Sequence, residues 1–135
     1  MTSDSSLAIE LIDIWKRFPG VIANAGATLS VKRGTIHAVL GENGAGKSTL
    51  LKAISGILLP SKGSIRFEGK SIQGKDPSII VSMGLAHVPE GREIFPLLTV
   101  KQNLLLGAYS RLDKSKVKGD FDLVLHYFPD LQRLL

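Results

Sequence analysis

The tightest constraint on this chain is the run Gly41-Glu42-Asn43-Gly44-Ala45-Gly46-Lys47-Ser48-Thr49. It fits G-x-x-x-x-G-K-[ST] without a mismatch, the pattern of a phosphate-cradling loop between a strand and a helix. Thr35-Ile36-His37-Ala38-Val39-Leu40, just before it, is apolar and β-branched enough to predict a buried strand. Ser48 to Ile57 predicts a helix, with Gly56 as its stop and Pro60 beyond. Glycines let the backbone wrap a phosphate chain in conformations that a side chain would forbid. The N–H groups of Gly44 through Ser48 can form an anion nest, to which the helix adds its own unpaired N–H groups and positive dipole end. Lys47 brings a positive charge to the β- and γ-phosphates, Ser48 offers a hard hydroxyl oxygen to Mg²⁺, and Thr49 can hydrogen-bond the next phosphate inward. A bound nucleoside triphosphate is the expectation. The bland alternative, a glycine-rich turn with a surface lysine, does not account for the strand and helix on either side.

The 135 residues suffice for one domain and not comfortably for two. With 44 % hydrophobic residues the chain should bury a sizeable core. It has no cysteine, which excludes disulfides and thiolate metal sites and fits a reducing cytosol. No apolar run is long enough to span a membrane. The lead Met1-Thr2-Ser3-Asp4-Ser5-Ser6 is polar, lacks the layout of a secretory signal, and reads as a disordered lead over residues 1–6. The net charge of +5 is scattered, with small clusters at Lys16-Arg17, Lys32-Arg33 and from Lys114 to Lys118. No aromatic residues interleave with a basic stripe, so nucleic-acid binding is not expected.

In chain order, Leu7 to Ile14 predicts a strand, broken by Trp15-Lys16-Arg17-Phe18-Pro19-Gly20. Ala27-Thr28-Leu29-Ser30-Val31 predicts a second strand, turning at Lys32-Arg33-Gly34 into the strand before the phosphate loop, antiparallel to it. An aromatic ring just after the first strand could lie over a nucleobase; Phe18 is the candidate, Trp15 the reserve, and simple core packing the alternative. Ser64 to Glu68 predicts a hairpin strand turning at Gly69-Lys70. Asp76-Pro77 predicts a helix start and Gly84 its stop. Leu85 to Pro89 predicts a buried strand leading into Glu90-Gly91-Arg92. Thr99 and Gln102 form a capping box for a helix through Leu104, Leu105 and Ala108. After an exposed charged stretch, Asp120 is expected to cap a last helix with Phe121, Val124, Leu125 and Phe128 on one face, ended by Pro129.

These residues together resemble the N-terminal part of the ATP-binding subunit of ABC transporters, bacterial importers in particular, from about Leu7 to the end. The resemblance implies an α/β P-loop fold, present in part: an antiparallel β region, the P-loop strand and helix, and the start of a helical subdomain. Residues 7–95 would hold the β and P-loop core and residues 96–135 the start of the helical subdomain. Gly41 to Thr49 matches the family's Walker A loop, and Phe18 falls where the family places its adenine-stacking aromatic. Leu97-Leu98-Thr99-Val100 with Asn103-Leu104 resembles the entry to the helical subdomain. Val88-Pro89-Glu90-Gly91-Arg92 occupies the Q-loop, with Glu90 in place of the usual glutamine that contacts Mg²⁺ and the attacking water. A carboxylate can hold a Mg²⁺-bound water, but it only accepts hydrogen bonds where an amide also donates. The resemblance makes Ser48 and Glu90 the metal-side residues and Lys47, with Glu90, the catalytic ones.

Gly84 to Arg92, Phe95-Pro96 and Asn103 to Tyr109 resemble the branched-chain amino acid importers. Lys16 to Val21 and Ile36 to Asn43 look more like importers of simple sugars and nucleosides. A mosaic joined near Lys47 to Lys52 and a single divergent lineage both fit this. None of Asp4, Asp13, Asp76, Asp113, Asp120, Asp122 or Asp130 follows four apolar residues or precedes Glu, as the Walker B aspartate would. A Ser-Gly-Gly signature and a switch histidine are not found either. The expectation is a chain that binds Mg-ATP, hydrolyses it near background, and is marginally stable or aggregation-prone by itself. The resemblance implies permease subunits and a second ATP-binding subunit as partners, at the inner face of a bacterial plasma membrane. A non-hydrolysing, permease-docking module and a small-molecule kinase are the competing readings; the Q-loop-like stretch and the helix entry argue against the kinase.

Overall fold

Alternating apolar residues and two tight turns fold the first part of the chain into an antiparallel sheet of order β2-β1-β3-β4 in the computed structural model, which describes residues 6–91 and 93–135. Its strands are β1 (Leu7–Phe18), β2 (Val21–Lys32), β3 (Lys62–Phe67) and β4 (Lys70–Ser71). The expected disordered lead lies outside the described residues except for Ser6, whose carbonyl accepts the Arg33 N–H at 3.0 Å. Arg92 of the expected Q-loop lies outside them too.

Strand β1 runs past Ile14 to Phe18, and only Pro19-Gly20 breaks it, so Phe18 pairs with Val21 across a two-residue turn. Proline presets the first turn position and Gly20 takes the second at φ 77°. Trp15 to Phe18 therefore belong to the strand, and β2 likewise starts at Val21, ahead of the expected Ala27. Pairing along the length of β1 carries the weakly β-forming stretch from Ala23 to Gly26. On the other side β1 pairs with β3, Leu11 opposite Ile65 and Ile9 opposite Phe67. Glu68 and Gly69, both at positive φ, make the turn from β3 into β4.

Helix α1 (Lys47–Ile54) and helix α2 (Pro77–Ser82) bury one side each. Leu50, Ala53 and Ile54 of α1 and Ile80 of α2 join Leu11, Ile14, Ile65, Ile72 and Leu85 in one core. Asp76 caps α2 as expected, accepting the Ser78 N–H at 2.8 Å, with Pro77 in the first turn and Gly84 at φ 102° just beyond Met83. Ser55 ends α1: its hydroxyl reaches the Leu51 carbonyl at 3.0 Å and lies 3.0 Å from His87 Nδ1, which ties the helix end to the segment after α2.

Two expected strands are not formed. Residues 35–40 carry no regular structure, are exposed throughout, and pair with no strand. Ile36 is 101 % exposed and Leu40 89 %. Residues 85–89 carry no strand either; Leu85 is buried and Val88 exposed. Both stretches have the composition of parallel strands, which need neighbours on each side and cover on both faces. Among the described residues no strand lies beside either of them.

The chain divides into two compact units, Met1–His87 and Val88–Leu135. The second holds α3 (Val100–Leu106) and α4 (Val117–Tyr127), with 3-10 turns at Lys114–Lys116 and Pro129–Leu134. The capping box forms: Thr99 Oγ1 accepts the Gln102 N–H at 3.2 Å and Gln102 Oε1 accepts the Thr99 N–H at 2.8 Å. Asn103 donates to the carbonyls of Phe95, Leu98 and Thr99 and accepts the Phe95 N–H, so one amide ties the loop to the helix it enters. Asp120 does not cap α4. The 3-10 turn, itself capped by Asp113, runs straight into the helix at Val117, which leaves Asp120 in the first turn, paired with Arg111 at 2.7 Å. Leu125 is buried, and the helix ends before Pro129 as expected, but Phe128 leaves the helical face at the C-cap and is exposed.

Candidate functional site: an anion nest at the start of α1

Three elements of the first unit converge on Gly46. It is the N-cap of α1, in the left-handed region at φ 82° and ψ 8°, and no side chain caps the helix there. The Leu50 N–H closes the first helical hydrogen bond on the Gly46 carbonyl at 2.9 Å. The N–H groups of the first turn therefore have neither an intrahelical nor a side-chain acceptor, the state in which a helix start attracts an anion. The first turn carries no acidic residue. Gly44, at φ 88°, faces open space, whereas a Cβ at Gly46 would sit 2.0 Å from the Ala23 carbonyl oxygen. Only glycine fits at that second position.

Lys47 folds back over the loop. Its ammonium donates to the carbonyls of Gly41 at 2.6 Å and Glu42 at 2.7 Å, while the Ala45 N–H donates to the Glu42 carbonyl at 3.1 Å. The charge is thus held within the ring of residues from Gly41 to Gly46 on hydrogen bonds to neutral carbonyls, which an anionic oxygen can outcompete. Ser48 is exposed and Thr49 half-buried in the same turn. Glu42, Asn43 and Ala45 are exposed along the rim.

Phe18 stands at the end of β1, 43 % exposed, with the Lys16 ammonium 5.2 Å from its ring centroid. Trp15 is engaged elsewhere: its indole N–H donates to Asp13 at 2.7 Å and the Arg17 guanidinium lies 5.5 Å from its ring. Of the two aromatic candidates, Phe18 keeps the freer ring. It is tied to the loop through β2, which starts opposite it at Val21 and reaches Gly46 at Asn24, roughly 10 Å along the strand. Glu90 belongs to the second unit and is exposed there.

Sequence reasoning passed over Asn24. It is 91 % buried, by an exposure of 9 %, and its side-chain amide donates to the Gly46 carbonyl at 3.3 Å. The available signal was an amide placed among alanines in a strand that otherwise packs apolar residues.

The ABC transporter family model matches residues 25–132, most of the chain. Among curated proteins, the chain is 38 % identical over 112 residues to the guanosine import ATP-binding protein NupO of Bacillus subtilis, covering 80 % of this chain and 22 % of that one. It is 43 % identical over 105 residues to the high-affinity branched-chain amino acid transport ATP-binding protein BraG of Pseudomonas aeruginosa, covering 78 % of this chain and 45 % of that one. Among solved structures, an ATP-binding subunit of an ABC transporter superposes with a TM-score of 0.81 at 28 % identity, over 94 % of this chain and 52 % of that one. A nucleotide-free ATP-binding cassette gives 0.69 at 26 %, over 95 % and 56 %. The chain thus spans between a fifth and somewhat over half of the proteins it matches. Its loop, its fold and these likenesses agree: the chain belongs to the ABC transporter family.

Proposed function

We propose that the chain binds Mg-ATP at the start of α1, as the N-terminal portion of an importer's ATP-binding subunit. The single observation that carries this is the uncapped α1 start at Gly46, with the Lys47 ammonium held over the loop on the Gly41 and Glu42 carbonyls. The backbone N–H groups of Gly44 through Ser48 would hold phosphate oxygens, and Lys47 would turn to the β- and γ-phosphates. Thr49 would take the next phosphate inward, with Glu42, Asn43 and Ala45 shaping the rim. The exposed ring of Phe18 would stack on adenine. The Ser48 hydroxyl is an oxygen donor of the kind Mg²⁺ takes, and the ion would neutralise phosphate charge. Residues 7–95 would form the β and P-loop core and residues 96–135 the start of the helical subdomain.

Phosphoryl transfer requires several positioned groups at once. No aspartate of this chain follows four apolar residues or precedes Glu. Hydrolysis by the chain alone should therefore stay near background, and many turnovers per chain would overturn that. Permease subunits and a second ATP-binding subunit are the partners this reading supplies, at the inner face of a bacterial plasma membrane. Among the described residues no helix is long and apolar enough to cross one.

The transported substrate is read as branched-chain amino acids, from the stretch Gly84 to Arg92 and the likeness to BraG. Sugar or nucleoside import is a second reading, favoured by the front half and the likeness to NupO. Calorimetry with Mg-ATP tests the shared part. Replacing Lys47 by alanine removes a charge-assisted contact, so affinity should fall at least about tenfold. Unchanged affinity would refute the proposal.

A further inference from the structure

We infer that Asn24 is a positioning residue of the phosphate loop: its amide clamps the Gly46 carbonyl and holds the loop in its phosphate-ready shape. The inference rests on the nucleotide reading above and adds to it a residue in β2, outside the loop motif. The Gly46 carbonyl has two lone pairs; Leu50 N–H takes one, opening α1, and Asn24 Nδ2 takes the other. The amide cannot be turned over, because that would face two carbonyl oxygens across 3.3 Å.

The orientation has a cost. Asn24 Oδ1 is buried with no hydrogen-bond partner among the described residues. An apolar side chain of similar size would avoid that penalty, since a buried polar atom left unpaired is unfavourable. Asparagine at this position thus destabilises the fold locally and keeps the clamp. The clamp matters because the loop has little else behind it. Residues 35–40, which lead into it, pair with no strand and are exposed. The support comes from α1, packed in the core by Leu50, Ala53 and Ile54, and from β2, whose Ala23 carbonyl abuts the Gly46 Cα and whose Asn24 bonds its carbonyl.

The test separates a positioning role from a packing one by sign. In Asn24→Leu the buried orphan oxygen and the clamp both go. Thermal stability should hold or rise while Mg-ATP affinity falls about three- to tenfold, the scale of one lost neutral hydrogen bond. Amides of residues 44–48 should exchange faster in the nucleotide-free variant than in the wild type. Asn24→Asp, nearly isosteric, sets an acceptor against the Gly46 carbonyl and should weaken binding further; it serves if Asn24→Leu fails to fold. Variants with wild-type affinity and wild-type exchange over 44–48 would overturn the inference. A wild-type chain that fails to bind Mg-ATP would overturn the nucleotide reading, and this one with it.

Discussion

Strand β1 and the segment 35–40 make the most instructive pair in the molecule. Both alternate aliphatic residues with polar ones, and both would pass as strands. One becomes the centre of a sheet, with Leu11 and Ile14 fully buried. The other lies open, with Ile36 and Leu40 in solvent. The difference is where the partners come from. β1 finds β2 across a two-residue turn, at small entropic cost of closure. A P-loop strand belongs to a parallel sheet, whose neighbours arrive only through crossovers of a dozen or more residues. β-propensity describes how well a residue fits a pleated, covered surface, and residues 35–40 have no such surface beside them.

Three measurements would break or sharpen that contrast. The largest effect is a pair of truncations. Ile65→Ala, deep in the core, should cost about 3 kcal/mol, whereas Ile36→Ala should change stability by no more than about 0.5 kcal/mol. Chemical denaturation of the two variants decides it; similar losses would mean that residues 35–40 are packed after all. Next comes a device that needs no distant partner. Thr99→Ala removes the α3 capping box and should cost about 1 kcal/mol, read as lost helicity by circular dichroism or faster amide exchange over Val100–Leu106. No loss would mean that α3 is held by tertiary packing instead of local capping.

The smallest effect is acid sensitivity. Asp13 is held below the ordinary carboxylate range by hydrogen bonds from Lys62 and then Trp15, Asp76 by Ser78, and Asp113 by Ser115. A carboxyl lowered in the folded state stabilises above its unfolded value and ceases to do so as pH falls through the folded one. Melting temperature should therefore decline from about pH 4 downward, modestly, because all three groups are solvated. Asn substitution at Asp13, in the β1 bulge, should flatten that decline; a profile identical to wild type would remove Asp13 from it.

The exposed stretch also bears on how the isolated chain would behave. Ile36, Leu40 and Val88 are open to solvent, and unpaired apolar segments of this kind invite association. Chemical complementarity, in the form of further strands, would be the physical remedy.

What the amino-acid order determined by itself was local. Gly44, Gly46 and Lys47 specify the tight loop that opens α1 without a side-chain cap, with an ammonium folded over it, because glycine's conformational freedom and the lysine's reach act within a few residues. Asp76-Pro77 and Thr99 with Gln102 specify helix starts because a side chain there reaches its own backbone. The Pro19-Gly20 turn follows from backbone preferences of the same short range, whereas the turn after β3 falls at Glu68 and Gly69, one residue ahead of the expected Gly69-Lys70. Tertiary structure alone decided the rest. It extended β1 through Trp15 to Phe18, because β2 lay alongside to pair with it. It left residues 35–40 unpaired, because a strand exists only where another strand meets it. It moved the start of α4 ahead of Asp120, because the chain entered from a turn that was already helical. And it set Asn24 under Gly46, a contact 22 residues apart along the chain that no local pattern encodes.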